Sequence, residues 1–169
     1  MEAELYYLSS IIKPKTGQPL ARISYVNATI VSGATVVPWN VVSGVENGVT
    51  ASSSGIVVPT SGYYQVSGAI TFGATGTAPY VSPATGKYGQ AAITLGGVIK
   101  AKGTTVQTTS TVNGYTSVVS DIVYLTTSST PVTLSAIASN GLYIYGIQDS
   151  LGVTGTFLTY MSVVLVSAQ

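Results

Sequence analysis

The chain has 169 residues, a formal net charge of +1, no cysteine and no histidine, and only 7% of its residues are Asp, Glu, Lys or Arg, against about 25% in an ordinary soluble domain. This inventory excludes disulfides, thiolate chemistry, imidazole metal sites and every nucleophilic triad or dyad built on Cys or His. It offers no basic stretch to neutralise phosphates, and no window of ~18 to 20 residues is uninterruptedly apolar, so neither nucleic acid nor a membrane is an expected partner.

The first twenty-one residues read as an arm and linker, followed by one domain over residues 22–169. Leu5, Tyr6, Tyr7, Leu8, Ile11 and Ile12 form an apolar patch, and the stretch from Lys13 to Pro19 then breaks regular structure with two prolines and a glycine. Two readings stand for the arm: an edge element packed on its own domain, or an anchor that docks on a neighbouring protein. Glu2 and Glu4 stand where an export signal carries Lys or Arg, so synthesis in a cytoplasm is expected.

From Arg22 onward the signals are β. Short runs rich in Val, Ile, Thr and Tyr are punctuated by Asn47-Gly48, Asn113-Gly114 and Asn140-Gly141, dipeptides that suit tight hairpin turns. Candidate strands are 23–31, 36–42, 55–58, 63–72, 90–100, 105–112, 117–126, 132–139, 142–145 and 156–167, ten in all, at the spacing of an antiparallel sandwich.

Within 63–72 the pleat places Tyr64, Val66, Ile70 and Phe72 on one face and Gln65, Ser67 and Thr71 on the other. The stretch 75–89, with Pro79 and Pro83, reads as a long surface loop, and its Tyr80 and Tyr88 are candidate ligand contacts or tyrosines lying over the sandwich edge. The closing run is apolar on both sides: Phe157, Met161, Val163 and Leu165 alternate with Leu158, Tyr160, Val164 and Val166.

A sandwich strand normally keeps one face for solvent. Leaving several Val, Leu and Tyr side chains wet would forgo several kcal/mol at about 25 cal/mol per Å², comparable with a domain's net stability. A symmetry-related copy is the simplest cover, which makes Phe157, Leu158, Tyr160, Met161, Val164 and Val166 the expected assembly residues. The rival cover is the chain's own arm.

The acids are Glu2, Glu4, Glu46, Asp121 and Asp149. No pair in the domain body stands at a spacing that dictates adjacency, so no catalytic site, metal or cofactor is expected. Asp121 is the exception to watch. It interrupts an apolar strand, and so it either faces solvent or is buried and paired with Lys100, Lys102 or Arg22.

The string GIVVPTSGYYQVSGAITF, residues 55–72, resembles the signature of the complement 1q and tumour necrosis factor-like jelly rolls, with Ile56, Pro59, Gly62, Tyr64 and Val66 at the matching places. ITLGGVIKAKG at 93–103 resembles the family's following strand pair, PVTLSAIASNGLYIYG at 131–146 its penultimate hairpin, and GTFLTYMSVVLV at 155–166 its closing strand. The resemblance spans roughly residues 24 to 169 and implies an antiparallel jelly-roll sandwich that assembles as a homotrimer around the sheet holding the first and last strands.

The charge-poor dialect ISYVNATIVSGATVVPWNVV is similar to phage and prokaryotic versions. By that resemblance the chain is expected to be a virion component whose partner is a major capsid protein or another virion protein. The leading expectation is a trimeric head decoration (cement) protein anchored by its arm, and the alternative is a receptor-binding tip of a tail fibre or spike. An initiator Met1 and the lack of a shaft favour the former.

Overall fold

The computed structural model describes residues 18–73, 86–107, 115–128, 130–146 and 159–169, with the side chain of Glu46 excepted. Among them are eleven strands and no helix: β1 (Leu20–Tyr25), β2 (Ala28–Val36), β3 (Val41–Glu46), β4 (Thr50–Ser52), β5 (Gly55–Val57), β6 (Gly62–Gly73), β7 (Tyr88–Leu95), β8 (Val98–Gln107), β9 (Tyr115–Leu125), β10 (Val132–Tyr145) and β11 (Thr159–Ala168). All pairings among them are antiparallel.

A front layer runs β3-β1-β11-β6-β9 and a back layer runs β2-β10-β7-β8, with the β4-β5 hairpin beside the start of β10. The layers join at one corner, where Gly73, Phe72 and Thr71 of β6 face Tyr143, Ile144 and Tyr145 of β10. They approach again where Thr104 of β8 meets β9: Ser117 Oγ donates to the Thr104 carbonyl at 2.6 Å. Gly103 makes that approach possible, because a Cβ there would run into the Val118 carbonyl oxygen. The result is a sandwich curled almost into a barrel.

The core follows from the pleat. Tyr64, Val66, Ile70 and Phe72 are fully buried, as the period of two predicts, and share one core with Leu134, Ala136 and Ile144 of the opposite layer. Thr71 is buried as well, although it lies on the other face, because its hydroxyl bonds Thr116 Oγ1 at 2.8 Å and its amide donates to Thr159 Oγ1. Tyr64 keeps its ring in the core and donates its hydroxyl to the Thr60 carbonyl at 2.7 Å. Burial raises its pKa, with that bond opposing the shift.

Four expectations are corrected. The run 23–31 is two strands, since the chain leaves the front layer after Tyr25 and enters the back layer at Ala28; the bond from Gly146 N to Asn27 O ties down the crossing. The run 36–42 is broken over residues 37–40, where the chain crosses back to the front layer and Pro38 has no N–H to offer a ladder. The run 90–100 is a hairpin whose turn is Gly96-Gly97, both at positive φ. Asn140-Gly141 is not a hairpin turn: β10 continues through it, with a register shift between Ala138 and Leu142 and Gly141 at φ +78°.

Asn47-Gly48 does turn the chain through left-handed backbone, but between β3 in the front layer and β4 beside the back one, so the two strands do not pair. Asn113-Gly114 lies outside the described residues.

Candidate assembly surface

In the closing strand the two faces differ. Met161 and Val163 are fully buried and Leu165 packs on the core, while Tyr160 and Val164, on the outer face of the front layer, are half-buried and Val166 is 54% exposed. Phe157 and Leu158 lie outside the described residues.

Register extends that outer face across four strands. Leu20 stands beside Val164, Val164 beside Gln65, and Gln65 beside Ile122. The next row is polar: Arg22, Ser162, Ser67, Ser120. The one beyond reads Ser24, Tyr160, Ala69, Val118. Two mostly apolar rows, interrupted by Gln65 and Ser24, therefore bracket a polar one.

The exposed end of each row falls on β9, where Ile122 is 57%, Val118 53% and Tyr124 41% open to solvent. Tyr124 meets Tyr63 edge-on, with ring centroids 5.2 Å apart. Sequence reasoning singled out β11 and passed over Val118, Ile122 and Tyr124. The signal was available, since apolar residues at 118, 122 and 124 share the outward parity of β9 opposite the core residues Val119, Val123 and Leu125.

Charge on this surface is sparse. The Arg22 guanidinium lies over the Tyr160 ring, 4.3 Å from its centroid. Asp121 is exposed, and its Oδ1 accepts the amide of Ile122 at 2.8 Å. The register places Asp121 opposite Val66, a core-facing parity, yet at the lower part of β9 no further described strand covers it. An acid at such an edge position opposes the addition of another strand.

The two ends of the sandwich differ. At one end Gly62, Leu125, Ala168 and Leu20 gather, and there the chain enters: Leu165 N donates to the Pro19 carbonyl at 3.1 Å, the Gln18 amide bonds the Leu165 carbonyl, and Asn47 Nδ2 holds the Gln18 carbonyl. At the other end lie Gly73, Tyr88, Gln107, Tyr115, Tyr145 and Thr159, so the connections 74–87, 108–114 and 146–158 all leave from and return to it. Tyr88 is exposed there, with its amide bonded to Ser139 Oγ at 3.1 Å. Tyr80 and the arm residues Leu5, Tyr6, Tyr7, Leu8, Ile11 and Ile12 lie outside the described residues.

A cleft of about 440 Å³ opens between the Ser53-Ser54 and Gly96-Gly97 turns, walled by Val36, Val37, Pro38 and Pro131 with Thr133 beside them. Among the described residues no acid or base lines it. Among them, too, no three His, Cys, Asp or Glu side chains stand together as a metal site, and no helix is long and apolar enough to cross a membrane.

The geometry is that of a β-jelly roll with one open apolar flank, and comparison with solved structures places the fold more narrowly. Eiger TNF from S. frugiperda is similar over 90% of this chain and 95% of its own, with a TM-score of 0.59 at 10% identity. Murine APRIL matches over 88% of this chain and 99% of its own, with a TM-score of 0.54 at 17% identity. The chain thus has a tumour necrosis factor-like jelly-roll fold. No protein-family model and no curated protein sequence matches it.

Two residues of the 55–72 signature have plain physical reasons in this fold. Pro59 follows the end of β5, and Gly62 serves a close approach rather than a turn, because a Cβ there would strike the Ser167 carbonyl oxygen of β11.

Proposed function

We propose that this chain is a non-catalytic structural protein that works as a homotrimer on the surface of a bacteriophage virion, where it decorates and cements the head. The observation that carries the assembly is the outer face of the front layer, where Leu20, Val164 and Ile122 share a row interrupted only by Gln65 and where Val118, Tyr124 and Val166 are exposed as well. A chain with 7% charged residues has little else to keep such a face in water. Burying it between copies supplies association by area rather than by ion pairs.

The virion role follows from the resemblance of the charge-poor sequence to phage versions of the fold, with synthesis in the host cytoplasm and a capsid protein as partner. The arm is the anchor in this reading. Because Gln18 and Pro19 are bound to β11 and β1 begins at Leu20, a truncation that tests the arm removes residues 1–17 and keeps these two. Such a truncation is expected to remain a folded trimer and to lose binding to purified shells. Retained shell binding, or a 17.2 kDa particle for the whole chain at micromolar concentration, refutes the reading.

One observation favours a receptor-binding tip instead. The strand ends that flank the three long connections, at Gly73 and Tyr88, Gln107 and Tyr115, and Tyr145 and Thr159, all lie at the end opposite Gln18 and Pro19, the arrangement of a module held at its base and offering a crown for recognition. Saturable binding to host cells or glycans that is lost on Tyr88→Ala or Tyr80→Ala selects the tip; shell binding without it selects the cement protein.

A further inference from the structure

Resting on the reading of the arm as a shell anchor, we propose that until the chain meets a shell, residues 5–12 are held in the cleft of their own domain between the Ser53-Ser54 and Gly96-Gly97 turns. That run, LYYLSSII, has six large apolar side chains and no acid or base, with Glu2 and Glu4 before it and Lys13 and Lys15 after it. Left in water it is an adhesive patch on a chain with few charges to keep copies apart. The cleft matches it in character. Val36, Val37, Pro38 and Pro131 wall about 440 Å³, no acid or base among the described residues lines it, and Val36 is 49% exposed.

Position and length select the arm as the occupant. It joins the domain at Gln18, whose carbonyl accepts from Asn47 Nδ2 at 2.9 Å. From Asn47 the chain turns at Gly48 and runs through β4 to Ser53, so the lip of the cleft lies within roughly 25 Å of that joint. Residues 10–17 extended span up to about 28 Å, which brings Ser9, in the middle of the run, to the lip. The Gly96-Gly97 turn is at the same end of the sandwich, since it caps the pair Leu95 and Val132, and Val132 opens β10 shortly after β9 ends at Leu125. In the trimeric reading the outer face of the front layer belongs to neighbouring copies, which leaves the cleft as an apolar surface within the arm's own reach.

Trp39 stands behind this cleft. It is the chain's one tryptophan, it is almost fully buried, and its indole donates to Thr133, a cleft residue, while its neighbours Val37 and Pro38 form part of the wall. Because the chain has no cysteine, a nitroxide on Ser9→Cys marks one site and removes no apolar side chain. In the full-length labelled protein Trp39 is expected to lose most of the fluorescence that the unlabelled Ser9→Cys chain shows. Val36→Glu and Ser54→Lys each place a charge in the cleft and are expected to restore it. Val36 is half exposed and Ser54 lies on an exposed turn, so one variant keeps the test open if the other fails to fold.

Purified shells are expected to restore the signal as well, by drawing the arm out. Labelled chain whose Trp39 is not quenched overturns the docking, as does quenching that survives both cleft variants. Shells that bind while Trp39 stays quenched overturn the release. Labelled Trp39→Phe chains refolded together with unlabelled wild type test the choice of own domain: wild-type Trp39 quenched in that mixture places the arm in a neighbouring copy and overturns it. The two readings fail separately, because an unquenched Trp39 sinks the docking whether or not shells bind, whereas a chain lacking residues 1–17 that still binds shells sinks the anchor alone.

Discussion

The indole Nε1 of Trp39 donates to Thr133 Oγ1 at 2.8 Å, joining the segment that crosses between layers to the first residues of β10. Trp39 is almost fully buried, and Val37 N donates to the Leu134 carbonyl beside it, so the crossing is held to the back layer by two bonds and a large apolar side chain. The Asn40 amide then bonds the Ser24 carbonyl in the front layer. Thr133→Val keeps the shape and removes the acceptor, leaving a buried N–H without a partner. Urea unfolding is expected to show a loss of about 1–3 kcal/mol, and Trp39→Ala a loss of about 3–5 kcal/mol.

Gly103 is the point where β8 and β9 come close enough to curl the sandwich. Alanine at this position pushes a methyl into the backbone of Val118, which no rotamer change relieves. Gly103→Ala is expected to destabilise the fold by roughly 2 kcal/mol or more, read as a lowered denaturant midpoint. Gly97→Ala, where nothing lies near the added methyl, tests only the positive φ and should cost less, about 1 kcal/mol.

Tyr115 stacks on Phe72 with ring centroids 5.7 Å apart, and its phenol oxygen is buried with no hydrogen-bond partner among the described residues. Burial pushes its pKa up to about 12. The folded state therefore holds the proton where the unfolded chain, with an ordinary tyrosine near 10, has released it. Below pH 10 this contribution is fully present, and it is lost as pH rises from 10 through 12. Tyr115→Phe removes a polar group that makes no bond, and is expected to raise stability by about 1 kcal/mol at neutral pH and to flatten the alkaline decline. Thermal unfolding at pH 7 and pH 11 checks both.

Met161 and Val164 belong to one strand and opposite faces. Met161→Ala is expected to cost about 2–5 kcal/mol through the cavity it leaves in the core, at any protein concentration. Val164→Asp is expected instead to abolish the concentration dependence of the unfolding midpoint, because the stability it removes comes from association. Equal behaviour of the two variants in that assay rejects the assembly surface.

The all-β class, the jelly-roll resemblance, the alternation of 63–72 and the two-sided closing strand were legible in the residues, because a strand writes its burial as a period of two and the core needs large apolar side chains at that period. Sheet membership was not. The runs 23–31 and 36–42 keep their β-prone composition while the chain changes layers, since the crossings are held by the bonds from Gly146 N to Asn27 O, from Val37 N to Leu134 O and from Val26 N to Asn40 Oδ1, whose partners lie far apart in the chain and leave no periodic mark. Asn140-Gly141 reads as a turn for the same reason, as its left-handed glycine serves a bulge or a hairpin equally and only the partner strands on both sides of β10 decide between them.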